Sequence, residues 1–301
     1  MTLARPRSAC AQLSVSALQS ALTRLVCCAA LAAAGFAGAA AAEPRVTFPS
    51  LDRSATGELV LLSAHWFAAA AAPRPAVLLL HGCGGAYAAS GELSVRMRDY
   101  TAWLNQQGFH ALVVDSLTPR GERELCTQRI GTRRVTMANR RLDALAGVAW
   151  LAQRSDVIAQ RIGLLGWSNG GSTVLAATNL QHAVVQDAAV KPAFAVAFYP
   201  GCEAELRRGY VAAATLLLLV GEADDWTPAE PCRRLAASAR GRDVSLVAYA
   251  GAYHGFDSKA PVRLRRDVPN GARPGEGVHV GGNAAALAQS RDELRRFLAR
   301  Q

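Results

Sequence analysis

Apolar residues gather in six short runs: Ala76 to Leu80, His110 to Asp115, Ile162 to Gly166, Ala193 to Phe198, Thr215 to Val220 and Val244 to Tyr249. Each is the length of a strand and too short for a helix. Longer segments between and after them follow a different period. Asn139 to Gln153 places Leu142, Leu145, Ala146, Ala149 and Trp150 at helical intervals, and Ala284 to Leu298 repeats the pattern near the C-terminus. Strands alternating with helices predict the α/β class, with a mostly parallel central sheet and helices on both faces. No internal repeat interrupts this order, and the one low-complexity stretch is Ala68 to Ala72.

The first 42 residues follow another grammar. Arg5, Arg7 and Arg24 precede an apolar run from Leu25 to Ala42 that contains no acid and ends in Ala40-Ala41-Ala42 before Glu43. Basic residues, a short apolar core and a small-residue exit predict a cleavable signal peptide over 1–42, against the alternative of a retained anchor. Export to the periplasm or beyond follows, with no stable membrane anchor after cleavage. The remaining 43–301 are 259 residues, a size at which one α/β domain buries an adequate core.

Charge and cysteine content narrow the classes further. The chain carries 33 basic and 23 acidic side chains, and losing the leader's three arginines leaves 30 against 23. The arginines are scattered, with short clusters at Arg133-Arg134 and Arg263 to Arg266 and no aromatic interleaving, which argues against nucleic acid as a partner. Cys83, Cys126, Cys202 and Cys232 lie beyond the leader, an even number that in an exported protein predicts disulfides rather than free buried thiols. No His, Cys and carboxylate group stands at metal-ligand spacing, so neither metal nor cofactor is expected.

Chemistry concentrates where the runs end. Arg161 to Leu165 leads into Gly166-Trp167-Ser168-Asn169-Gly170-Gly171 and then the helical Ser172 to Thr178, the strand, tight turn and helix of a nucleophile elbow. Glycine at 166 and 170 lets strand and helix approach while Ser168 takes a strained conformation. The run Ala76 to Leu80 leads into His81-Gly82-Cys83-Gly84-Gly85, a loop able to aim backbone amides at an oxyanion. The amides of Cys83 and Asn169 are the candidates for that hole, and His81 is expected to support the loop rather than carry a proton. A serine nucleophile needs a base and an acid, on loops after later strands in the order Ser, Asp, His. Gly221-Glu222-Ala223-Asp224-Asp225-Trp226-Thr227-Pro228 supplies two acids and Tyr253-His254-Gly255-Phe256 the base. His65 and His110 precede the serine, His182 follows the elbow helix too closely, and His279 lies in a glycine-rich loop.

These motifs together resemble the dienelactone hydrolase family over most of residues 75 to 300. The resemblance implies an α/β-hydrolase fold, and its register of acid between glycine and proline selects Asp224 over Asp225. It also implies ester hydrolysis through an acyl-enzyme, on a small-molecule ester or lactone. The founding members resemble this chain but carry cysteine where it has Ser168, as serine-bearing relatives similar to general carboxylesterases do not, so the reaction class transfers more safely than the lactone substrate. A non-catalytic exported binding protein, or a peptidase or acyltransferase with the same triad, are the alternatives. The loop from Leu117 to Arg140 is expected to overhang the site. In it, Arg120 and Arg123 are candidates for holding a substrate carboxylate, against the alternative that they are solvated or paired with Glu122 or Glu124. The four cysteines sit in loops beside the site, which favours the pairs Cys83–Cys126 and Cys202–Cys232.

Overall fold

Eight strands build the sheet: β1 (Arg45–Arg53), β2 (Leu59–Phe67), β3 (Arg74–Leu80), β4 (His110–Asp115), β5 (Val157–Trp167), β6 (Phe194–Phe198), β7 (Thr215–Gly221) and β8 (Val244–Tyr249). The computed structural model describes residues 45–70 and 73–301 together with the first two residues, so the leader expected over 1–42 lies otherwise outside the described residues. Spatial order is β1, β2, β4, β3, β5, β6, β7, β8. From β4 to β8 every neighbouring pair is parallel. The antiparallel β1 and β2 extend the sheet beyond the six predicted runs. β1 tolerates Pro49 because it is an edge strand, where a missing N–H costs no ladder bond.

Five longer helices cover the sheet: α1 (Val95–Gln106), α2 (Met137–Ala152), α3 (Asn169–Thr178), α4 (Ala229–Ser238) and α5 (Ala284–Leu298). Strand side chains alternate between two apolar layers. Ala76, Leu78 and Leu80 pack with Leu151 of α2, Val174 of α3 and Leu235 of α4. Val77 and Leu79 point the other way, with Met97 and Leu104 of α1 and Leu294 and Phe297 of α5. Burial on both faces is why the parallel strands β3 to β7 read as apolar runs rather than alternating ones. α2 begins with a capping box, in which the Thr136 hydroxyl accepts from Asn139 N and the Asn139 side chain accepts from Thr136 N.

Register brings the C-terminal ends of the strands level. Leu80 pairs with Gly166, Trp167 with Phe198, Phe198 with Leu219, and Gly221 with Tyr249. The loops that follow therefore open at one edge, where ligands of open α/β sheets bind.

Candidate active site

Ser168 sits between β5 and α3 with φ 54° and ψ −118°, a conformation rarely adopted by a residue with a side chain. The elbow is tight enough that a Cβ at Gly170 would overlap the Leu80 carbonyl oxygen, and one at Gly166 the Gly170 carbonyl. Glycine at both positions lets α3 close onto β3 and β5, and the turn presents the serine hydroxyl outward. Ser168 Oγ lies 2.8 Å from His254 Nε2, and His254 Nδ1 lies 2.8 Å from Asp224 Oδ2. A ring that donates from Nδ1 to a carboxylate keeps Nε2 free to accept the serine proton.

The acid is fixed as firmly as the base. Asp224 Oδ1 accepts from the backbone amides of Trp226 and Thr227, each at 2.9 Å. The Thr227 hydroxyl stands 3.0 Å from Asp224 Oδ2, 3.0 Å from the Tyr199 carbonyl and 3.1 Å from His254 Nδ1. Tyr199 and Trp226 flank the imidazole, each with ring centroids 4.6 Å from it. His254 and Asp224 are both buried, so water competes weakly for their hydrogen bond. The adjacent acid does other work. Asp225 accepts from His279 Nδ1 at 2.7 Å and His279 N at 2.8 Å, tying the acid loop to a later one.

A buried hub stands behind this chain. Asp257, three residues after His254, accepts from Tyr199 Oη at 2.6 Å, Tyr100 Oη and Trp167 Nε1 at 2.9 Å, and Arg96 Nη2 at 3.0 Å. Burial alone would raise its carboxyl; the Arg96 charge and these donors outweigh that and hold it below the usual carboxylate range. The elbow, the histidine loop and the end of β6 are thus joined through one carboxylate, which the sequence motifs do not announce.

Cys83, Ser168 and Asn169 line a common cavity of about 220 Å³, together with Arg133, Trp226 and Asn270. It continues into a space of about 500 Å³ that shares Arg133, Asn169 and Glu203 and runs along Val135 and Met137. Disulfides bound it on two sides. Cys83 is bonded to Cys126 and Cys202 to Cys232. The first ties the loop after β3 to the segment after β4, whose Ile130 amide also donates to Asn270 Oδ1 at 2.9 Å. His81 is buried and neutral: burial, then the nearby Arg140 charge, push it well below the ordinary histidine range, outweighing the Gly82 carbonyl bond that raises it. Its Nδ1 donates to that carbonyl at 2.7 Å, leaving Nε2 to accept from Ser116 N at 3.3 Å.

The two loop arginines stand away from this cavity. Arg120 does not line the cavity; it donates to both oxygens of Asp143 at 2.8 and 2.9 Å and to Asp52 Oδ2 at 2.8 Å. Two inward carboxylates hold it more strongly than a mobile substrate would, and Glu122 and Glu124 bond Gln128 and Thr127 instead. Arg123 lines a separate cavity with Arg45 and Tyr87. Arg133, noted in the sequence only as part of a basic pair, takes the place beside Ser168. Its Nε donates to the Gln128 carbonyl at 3.2 Å, and burial lowers its pKa while Glu124 offsets part of that.

A comparison with curated proteins finds no match. Among solved structures, a Klebsiella pneumoniae protein described as a dienelactone hydrolase superposes with a TM-score of 0.57 at 16% identity, covering 86% of this chain and 100% of that one. Thermogutta terrifontis esterase 2, in a form phosphoramylated by tabun, gives 0.59 at 17% identity, covering 85% and 94%. The same esterase with propionate bound gives 0.58 at 18% identity over 86% and 94%. Those similarities place the fold, that of an α/β hydrolase. The dienelactone hydrolase family model matches residues 62–299, and the chain belongs to that family of hydrolases.

Proposed function

We propose that the protein is an exported serine carboxylesterase whose triad is Ser168, His254 and Asp224. The observation that carries this reading is the continuous chain from the Ser168 hydroxyl through the His254 ring to the Asp224 carboxylate, two contacts of 2.8 Å each. Ser168 Oγ attacks the ester carbonyl carbon as His254 Nε2 takes its proton, and Asp224 holds the ring in the tautomer this requires. The carbonyl oxygen, now an anion, is received by the amides of Cys83 and Asn169, the latter at the first turn of α3, where the helix dipole favours negative charge. The tetrahedral carbon then expels the alkoxide, which His254 protonates. Water, deprotonated by the same ring, releases the acid and restores the serine.

The substrate is a small ester. The cavity admits an acyl or alcohol group of modest size, with an apolar extension along Val135 and Met137. Arg133 takes over the role first given to Arg120 and Arg123, facing a polar or anionic group on the substrate. Thermogutta esterase 2 carries organophosphorus adducts in its solved structures, and the same chemistry applied here labels Ser168. The apolar leader and two disulfides beside the site support export, since such bonds persist in oxidising compartments.

A fluorophosphonate probe tests the nucleophile. Wild type hydrolyses p-nitrophenyl esters and is labelled, and Ser168→Ala does neither while unfolding at the same temperature. Labelling of the alanine variant to the wild-type level refutes the assignment.

A further inference from the structure

We propose that Arg140 is the positioning residue of the oxyanion hole, joining through one buried guanidinium the two chain segments that supply its amides. The inference rests on the reading of Cys83 and Asn169 as the hole. Arg140 lies in the first turn of α2 and is 1% exposed. Its Nη1 donates to the side-chain oxygen of Asn169, and its Nη2 donates to the His81 carbonyl at 2.7 Å. Asn169 carries one amide of the hole, and His81 stands two residues before the other. The 3.5 Å approach of Nη2 to His81 Nδ1 is not a hydrogen bond, because that nitrogen's proton is given to the Gly82 carbonyl.

The charge of Arg140 is as telling as its reach. The nearby carboxylates are engaged elsewhere: Asp143 by Arg120 and the Ser50 hydroxyl, Asp115 by the amides of Leu117 and Thr118 and the Thr118 hydroxyl. Arg140 is thus held by neutral acceptors, and its buried Nε finds no partner among the described residues. Burial pushes it down to about 10, with Asp143 and then Asp115 offsetting part of that, so it stays charged at neutral pH. Burying such a cation costs stability, and an apolar side chain of similar volume is often at least as stabilising. What a cation adds here is a fixed positive field behind two amides that must receive negative charge, together with a rigid spacing between them. Both effects act on the transition state more than on the bound ester.

The test is a split between kcat and KM in Arg140→Lys, Arg140→Gln and Asn169→Ala, the last of which keeps the backbone amide and loses only the acceptor. With p-nitrophenyl butyrate, each lowers kcat about 10- to 100-fold, less than or equal to removal of a hole donor, and leaves KM within about twofold. Affinity for a trifluoromethyl ketone, which forms a tetrahedral oxyanion on the serine, falls by the same factor as kcat. The double variant Arg140→Lys/Asn169→Ala loses no more than the worse single one, because the two side chains act as one unit. Should Arg140→Gln fail to fold, Arg140→Lys and Asn169→Ala, checked by thermal unfolding, carry the result. Folded variants with wild-type kcat, or a loss confined to KM with ketone affinity unchanged, overturn the inference. Ser168→Ala separates the two failures: if it is inactive while those variants are fully active, the positioning role alone falls, and if it keeps activity, the site reading falls with it.

Discussion

Asp257→Asn removes a charge and keeps the shape, which makes it the sharpest probe of how the site is held. The carboxylate is fully buried while its partner Arg96 keeps about a third of its side chain exposed. Breaking a buried ion pair by neutralising one member typically costs about 3 to 5 kcal/mol, because the remaining charge and donors lose their acceptor. Arg96 recovers some hydration, which pulls its share down. The Tyr100, Tyr199 and Trp167 donors have no such recourse, and one amide oxygen cannot replace two carboxylate oxygens. The range therefore stands as the expectation. For a domain of this size each kcal/mol is worth about 2 to 4 °C, so the melting temperature falls by about 6 to 20 °C.

The same variant changes the pH dependence. Asp257 is held below the usual carboxylate range in the folded protein, so the unfolded chain binds its proton first as pH falls. Its stabilisation is complete above the unfolded value of about 4 and is lost as pH drops through the lower folded value. Urea unfolding at neutral pH shows the full gap between wild type and Asp257→Asn, and the gap narrows below about pH 4. At a temperature where both are folded, kcat of the variant falls as well, since Tyr199 packs against His254 and Trp167 precedes the nucleophile. A stability change under about 1 kcal/mol, the scale of an ordinary surface substitution, refutes the hub.

Asp224→Asn lowers kcat by about ten-thousand-fold, the cost of a wrong histidine tautomer in serine proteases, whereas Asp225→Asn, which loosens only His279, has a far smaller effect; steady-state kinetics rank them. Peptide mapping without reductant recovers the Cys83–Cys126 and Cys202–Cys232 linkages, and reduction lowers stability by about 3 to 4 kcal/mol per bond and lowers kcat, because both bonds border the Ser168 cavity. Gly170→Ala yields no active folded protein, since its methyl group meets the Leu80 carbonyl rather than a movable side chain; expression and circular dichroism check this.

What the sequence announces is whatever a local pattern controls. Five of the six apolar runs fall on β3 to β7, whose strands are buried on both faces over those runs, and the sixth falls on the edge strand β8, which is only half-buried and carries the exposed Ser245. Ser168, Asp224 and His254 each follow one of these strands within a few residues of a glycine, and parallel register then aligns the loops without further instruction. β1 and β2 lack that clarity. They lie antiparallel at the margin, where exposed and buried residues mix, and Pro49, Ser63 and His65 interrupt their apolar pattern. α1 is hidden for a related reason, its segment VRMRDYTAWLNQ burying chiefly Met97, Tyr100 and Leu104 among charged neighbours.

The buried charges are the part that local pattern cannot disclose. Asp257 meets Arg96 across 161 residues of chain and Trp167 across 90; Arg140 meets His81 across 59; Ser50 meets Asp143 across 93. Nothing at either end of such a pair marks it, because an arginine or aspartate in a helix or loop is usually solvated. Arg120 shows the consequence: its place in a loop near the site suggested a substrate contact, and the fold turned it toward Asp52 and Asp143. Yet these pairs decide where catalysis has its tolerance. The strand ends bring serine, histidine and aspartate to within a few ångströms, and a hydrogen bond of 2.8 Å requires the last ångström to be fixed from behind. Asp257 anchors the flanks of His254 and the elbow, and Arg140 anchors the segments that carry Asn169 and His81. Substitutions there leave every named motif intact and are expected to slow the enzyme all the same.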